Sequence, residues 1–225
     1  GMKDQGMDIY KRAVSESKRI TKKSDRAKTL SDMARYFFDI DKKLSEKLFD
    51  KSLDVAGEIS DKTEKVNTFA FIAENKVRVG LTEGARRDCE KVYETSLNLA
   101  EEKHKVLPLL NIAQVFAESN SIQKSTNICE YVSKILEDIS DENERCWAMG
   151  KMAIIYTYSQ KIERAVEISY KLCSQEENLP VGNVMISFTE ANKMDKALDL
   201  SKCISNSKLT DSILGEMVST LSDRN

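Results

Sequence analysis

The chain is short of the residues that interrupt helices. Only two prolines and eight glycines occur among its 225 residues, too few for a sheet protein whose tight turns draw on both. Histidine is scarcer: His104 is the sole one. A helical di-iron site needs a Glu-x-x-His pair on each of two helices. Glu101-x-x-His104 supplies one copy, which excludes that arrangement and leaves His104 as a surface residue near a helix start. The five cysteines (Cys89, Cys129, Cys146, Cys173, Cys203) are widely spaced, with no CxxC pair. Zinc needs closely spaced thiolates or imidazoles, so no metal is expected, and the cysteines read as reduced, mostly buried small apolar residues.

Long apolar runs are also missing. None approaches the ~20 residues that span a bilayer, and Gly1-Met2-Lys3-Asp4 lacks the apolar core of a signal peptide. Gly1 reads as the remnant of an expression tag, and a cytoplasmic protein is expected. Neither sign of charge dominates: 35 basic and 37 acidic residues leave a net charge of −2. That balance gives no basis for a nucleic-acid or membrane partner. Residues 1–35 do carry ten basic and five acidic side chains, a bias that suits either steering of an acidic partner or a solvated helix face. There is no GxSxG, phosphate-binding glycine loop or HExxH. The adjacent acids Glu176-Glu177 have no basic or nucleophilic neighbour in sequence. No catalytic residue and no cofactor is therefore assigned, and the chain is not expected to be an enzyme.

What is present is a repeat. Four segments place apolar residues four and seven positions after a polar starter, then alanine at eight: Arg26…Leu30…Met33-Ala34, Lys65…Phe69…Ile72-Ala73, Lys105…Leu109…Ile112-Ala113 and Arg145…Met149…Met152-Ala153. Weaker copies are Glu177…Val181…Val184-Met185 and Thr210…Leu214…Met217-Val218. This spacing lies on one face of a helix; these are the A helices. Their starters are separated by 39, 40, 40, 32 and 33 residues. Pro108 and Pro180 each fall three residues after a starter, which predicts that both mark helix beginnings, where a missing N–H costs nothing. Asp25, Asp61 and Asp141 are placed to cap A helices or to oppose their dipoles.

Second amphipathic stretches, the B helices, carry Ser45, Ala85, Ser125, Ala165 and Ala197 at matching positions. Small residues recurring there let neighbouring helices approach closely. The links (39–41, 80–84, 120–121, 159–160, 192) are short, and short links join antiparallel neighbours. Residues 7–20 and 208–222 read as a lone B helix and a lone A helix that cap the array.

The order apolar, apolar-small, aromatic (Phe37, Phe116, Tyr156, Phe188), then a small residue twelve on resembles the tetratricopeptide repeat (TPR). The last two internal repeats approach that family's period of about 34 residues. Alanine stands for the usual glycine, the closing proline is missing, and the first three repeats carry longer B helices. HEAT-type repeats, with a period of about 40 residues, remain the alternative. The resemblance implies an all-α protein: an α-α superhelix, or TPR-like solenoid, of about twelve antiparallel helices in a single domain over residues 2–225.

The resemblance further implies a protein–protein interaction scaffold whose A helices line a concave surface for a peptide or partner protein. Carried over by register, the partner-binding residues are Arg35, Asn67, Arg78, Leu107, Leu110, Gln114, Trp147, Ile154 and Tyr158. Lys28, Asn67 and Arg78 do not reproduce the family's carboxylate clamp in order, so no clamp is assigned. Trp147 and Tyr158 suit anchors of an interface, or equally helix-spaced aromatics buried in the core. The alternative function is a sensory or regulatory domain that binds a small ligand or signal peptide within the superhelix. Self-association into a homo-oligomer stays open.

Overall fold

The computed structural model describes residues 2–175, 178–205 and 207–222, with side chains at 7–12, 14–175, 178–205 and 208–222. The starter Glu177, its neighbour Glu176 and the side chain of Ala13 lie outside the described residues. Twelve helices and no strand occur among the described residues. Tertiary packing divides the chain into two compact units, Gly1–Ser119 and Asn120–Asn225.

The first unit holds α1 (Met2–Ser17), α2 (Lys23–Phe37), α3 (Lys42–Gly57), α4 (Lys62–Arg78), α5 (Thr82–Leu97) and α6 (Glu102–Glu118). The second holds α7 (Ile122–Glu137), α8 (Glu142–Tyr158), α9 (Ile162–Ser174), α10 (Asn178–Glu190), α11 (Met194–Ser201) and α12 (Ser207–Ser222). Even-numbered helices are the A helices and odd-numbered ones the B helices. Within each unit, consecutive helices up to α11 pack on one another, short links making them antiparallel, and successive A helices pack together, α12 on α10. The B helices α3, α5 and α7 have 16 residues each, whereas α9 has 13 and α11 has 8, so the shorter repeats come from trimmed B helices.

The small-residue register forms the helix crossings. Ala34, Ala73, Ala113 and Ala153 are fully buried, as are Ser45, Ala85, Ser125, Ala165 and Ala197. Two serines of α3 bind across its hairpin with α2: Ser45 Oγ donates to the Ala34 carbonyl at 2.7 Å, and Ser52 Oγ to the Ala27 carbonyl at 2.7 Å. Phe37, Phe116, Tyr156 and Phe188 are buried at the aromatic position, beside the apolar residues Leu30, Ile72, Ile112 and Val184. Met33 is only partly buried against this core.

Helix ends follow from local chemistry. Asp61 and Asp141 are N-caps, accepting from Glu64 N at 2.7 Å and Glu144 N at 3.0 Å, and Asp41 caps α3 in the same way. Asp25 lies in the first turn of α2. Four of the A-to-B turns place one residue in the left-handed region: Gly80 (φ 79°), Asn120 (60°), Gln160 (58°) and Asn192 (58°). Three of them close a Schellman pattern, in which Leu81, Lys161 and Lys193 N–H groups donate to the Lys76, Tyr156 and Phe188 carbonyls at 2.7–2.8 Å. That turn aims each chain back along its A helix.

Two boundaries differ from the sequence reading. The A helices α2, α4, α6, α8 and α12 begin three residues before their starters, so the starters occupy the second turn. Pro108 therefore lies inside α6, where it removes the N–H that would bond the His104 carbonyl, while Pro180 does sit in the first turn of α10. The first capping helix, expected over 7–20, spans Met2–Ser17 and ends in a turn through Ile20.

Candidate partner-binding face

Each A helix presents one outward stripe, set by residues two, nine and thirteen places after its starter. In the first unit this stripe is polar apart from Leu107, and largely tied to itself. Asn111 Nδ2 donates to Asn67 Oδ1 at 3.4 Å, joining α6 to α4. Arg78 pairs with Glu74 at 2.7 Å, and Gln114 donates to Glu118 at 2.8 Å. The Arg35 guanidinium lies 4.7 Å from the Tyr36 ring centroid. Leu107 is 54% exposed, but Leu110 is 1% exposed. Leu110 stands five places after its starter, a position turned toward the neighbouring A helix; Ser31 and Ala70 share it and are buried too. Of the nine residues carried over by register, Leu110 is the one with no surface to offer.

The second unit carries an apolar stripe. Trp147 is 52% exposed on α8, so the tryptophan belongs to the surface and not to the core. Ile154 is half-buried, and half-buried Tyr158 donates its hydroxyl to the Glu190 carboxylate of α10. One apolar residue escaped the sequence reading: Leu179, 48% exposed on α10. It stands two places after Glu177, as Trp147 stands two after Arg145; carrying the register one repeat further finds it. Half-buried Ile186 is the α10 counterpart of Ile154. The two helices lie close, since a Cβ built on Gly150 would sit 2.7 Å from the Pro180 Cβ. Trp147 and Leu179 thus flank one tight helix crossing.

Behind this face, on the B-helix side of the same unit, a groove of about 730 Å³ runs between α7 and α9 over α8. Met149, Met152 and Tyr156 form its floor, and Arg145, Lys161, Arg164 and Lys171 stand beside Glu130, Glu137 and Glu167 on its rim. The floor residues keep 4–8% exposure, whereas their α6 equivalents Leu109, Ile112 and Phe116 are sealed. Burial pushes the Tyr156 hydroxyl up to about 12, with the nearby Cys129 and Glu130 adding to it, so the phenol stays neutral.

Position eleven after the starter, aromatic in the first and in the third to fifth repeats, holds Lys76 in α4. Its ammonium pairs with Asp88 at 2.6 Å, is 5.7 Å from the Phe49 ring centroid, and is buried with its partner. Lys91 also reaches Asp88, at 3.2 Å. The ion pair replaces an aromatic plug between α4 and α5. His104 is the third residue of α6, with its side chain about half exposed. Among the described residues, no three His, Cys, Asp or Glu side chains come together to hold a metal, and no helix is long and apolar enough to cross a membrane.

No family model and no curated protein sequence matches the chain. Solved structures do. The chain is similar to nearly identical TPR-like repeats of Podosopora anserina described as kinesin light chain. The match has 12% identity over 91% of this chain and 100% of that one, with a TM-score of 0.53. A second form of those repeats gives 12% identity, 91% and 99% coverage and a TM-score of 0.52. BtubC (BKLC) from P. vanneervenii matches at 13% identity over 95% of this chain and 91% of that one, with a TM-score of 0.58. At this identity the likeness shows the fold: TPR-like helical repeats, in place of the HEAT-type alternative. Repeat arrays of this class offer extended surfaces for binding other proteins.

Proposed function

We propose that the chain is a protein–protein interaction scaffold and not an enzyme, and that the A-helix face of α8 and α10 takes an apolar or amphipathic segment of a partner protein. Exposed Trp147 next to exposed Leu179 carries this reading, because large apolar side chains left in water on one face mark interaction sites. Ile154 and Tyr158 extend the same stripe. Arg35, Asn67, Arg78 and Gln114 are proposed as polar contacts of the first unit, and exposed Leu107 as an apolar one. Five free cysteines suit a reducing, cytoplasmic setting.

Affinity capture from an extract of the source cells, with Trp147→Ala as control, tests the proposal. A partner retained by the wild type should fall at least tenfold with the variant while far-ultraviolet circular dichroism is unchanged. Equal retention of every partner by both proteins would sink the reading.

A second reading, a small ligand held within the repeats, draws support from the groove between α7 and α9. Its volume of about 730 Å³ falls within the ~300–1,000 Å³ usual for ligand pockets. Met152→Trp, which fills the floor, should abolish such binding and leave capture through Trp147 intact.

A further inference from the structure

The groove behind the apolar stripe is not evenly charged along its length. Helix α8 runs antiparallel to α7 and α9, so its start lies beside the ends of both. In that start Arg145 Nη1 donates to the Ile139 carbonyl, in the turn after α7, at 3.0 Å. Cys146 Sγ reaches Gln175 Oε1, just past α9, at 3.5 Å. Lys134 stands in the last turn of α7 and Lys171 in the last turn of α9. Three helices thus each bring one cation to this end of the groove, against one acid of its lining, Glu137. Arg145 meets exposed Glu142 only at 3.9 Å, and neither Lys134 nor Lys171 is in an ion pair among the described residues.

The other end is balanced. Ser125 and Ser159 bond there at 2.8 Å, closing the start of α7 on the turn after α8. Its cations are Lys161 and Arg164, and Arg164 is paired with Glu167 at 3.0 Å. Glu130 and Glu167 both lie near enough to Tyr156 to help keep its phenol neutral. Between the two ends the floor is Met149 and Met152, with Leu136 and Ile168 beside them. From Arg145 to Tyr156 a helix rises roughly 16 Å, and methionine side chains adapt their shape to an apolar chain laid along them.

A segment acidic along its whole length, such as an acidic helix, would meet Glu130 and Glu167 at the balanced end. A molecule with one negative head and an apolar tail matches both ends. We propose that the groove binds an anionic single-chain amphiphile of the fatty-acid kind, its head among Lys134, Arg145 and Lys171 and its tail over Met149 and Met152. The proposal rests on the small-ligand reading of this groove and names the class of that ligand. Carboxylate oxygens accept charge-assisted hydrogen bonds from the three cations, and burial of the tail supplies the rest of the affinity. Such a ligand bridges α7, α8 and α9 on the side away from Trp147, leaving the apolar stripe free for a partner.

The test follows isotope-labelled methionine methyl groups of the whole chain by NMR, with Met149→Leu and Met152→Leu to assign the two floor signals. Sodium dodecanoate, kept below its micelle concentration, should shift both floor signals saturably and far more than those of the other methionines. Each methylene removed from the tail should weaken binding about two- to fourfold. Dodecyltrimethylammonium, with the same tail and a cationic head, should bind about tenfold more weakly. Lys134→Gln combined with Lys171→Gln should weaken dodecanoate binding by about the same factor. Equal binding of the two heads, or an unaffected double variant, would overturn the proposal and leave the groove to another small ligand. Silence of both methyls toward either probe would overturn it and remove the groove reading for amphiphiles altogether. Capture on phosphatidylglycerol vesicles with no response to dodecanoate would overturn it too, since the cations would then serve a membrane surface. Lys134 and Lys171 are exposed, so their variants should fold; should they not, the tail series and the cationic probe decide on the wild type.

Discussion

The two units repeat one hairpin but fill it with different chemistry. In Gly1–Ser119 the helix contacts carry polar ties: Ser45 and Ser52 bond to carbonyls of α2, Asn75 donates to Ser31, and Lys76 pairs with Asp88. In Asn120–Asn225 the A helices meet through glycine. Gly150 abuts the ring and backbone of Pro180 too closely for a methyl group, and Gly182 faces the end of the Ile213 side chain. The outward stripes differ in parallel, hydrogen-bonded and charged in the first unit except at Leu107, apolar around Trp147 and Leu179 in the second. Hence one register serves two purposes. A polar unit gains specific pairing at each contact; an apolar unit gains close approach and leaves large side chains for another molecule.

The buried ion pair is where the comparison breaks most easily. Removing one partner strands a buried charge, so Asp88→Ala should cost about 3–5 kcal/mol. The double variant Lys76→Phe with Asp88→Ala imitates the aromatic plug of the later repeats and should recover most of that loss. Chemical denaturation of the two variants measures both. If the double variant is no more stable than the single one, the two chemistries are not interchangeable at this position.

Next comes the glycine crossing. Gly150→Ala forces α8 and α10 apart and should cost about 1–3 kcal/mol by overpacking, against a helix-propensity gain of at most about 1 kcal/mol. Gly215, exposed in α12 with nothing near its missing Cβ, supplies the control: Gly215→Ala should be neutral or stabilising by thermal melting. A smaller step is expected at the serine tie. Ser45→Ala removes one buried hydrogen bond to the Ala34 carbonyl, a loss of roughly 1 kcal/mol. Ala165, at the same place in the second unit, already lacks that bond.

The smallest effect on stability should come from Trp147→Ala. An exposed residue outside the core shifts stability by about 0.5 kcal/mol or less, and as the sole tryptophan it should emit at the long wavelengths of a solvated indole. Emission from a buried indole, or a melting loss of several kcal/mol, would return Trp147 to the core and remove the contrast between the stripes.

Much of this was legible in the residues. Periodicity placed all the A and B helices, and the small-residue positions identified nine crossing residues that are fully buried, from Ala34 to Ala197. Asp61 and Asp141 were readable as caps because the reason is local, a carboxylate within three residues of a bare N–H. Pro108 misled for an equally local reason: the charged turn before Lys105 is itself helical, so the proline lies one turn deeper than the pattern of apolar residues implies.

The candidate face was less legible. Trp147, Leu107 and Leu110 look alike in the sequence as apolar residues off the core stripe. Yet Trp147 and Leu107 stand in solvent while Leu110 is sealed, because five places after the starter is the side that meets the next A helix. Sequence spacing fixes the angle of a side chain around its own helix. It does not fix what packs against that angle, since the neighbour arrives from about 40 residues away.

By itself, then, the sequence determined the helices, their order, the residues of their crossings and the TPR-like repeat, all consequences of short-range periodicity and of helix-end chemistry. Only the tertiary structure decided that the chain forms two compact units, that Lys76 finds Asp88, and that Leu179 joins Trp147 on one face. Each of these depends on how closely two helices approach. That distance is set by volumes, such as the missing Cβ of Gly150, summed over residues far apart in the chain.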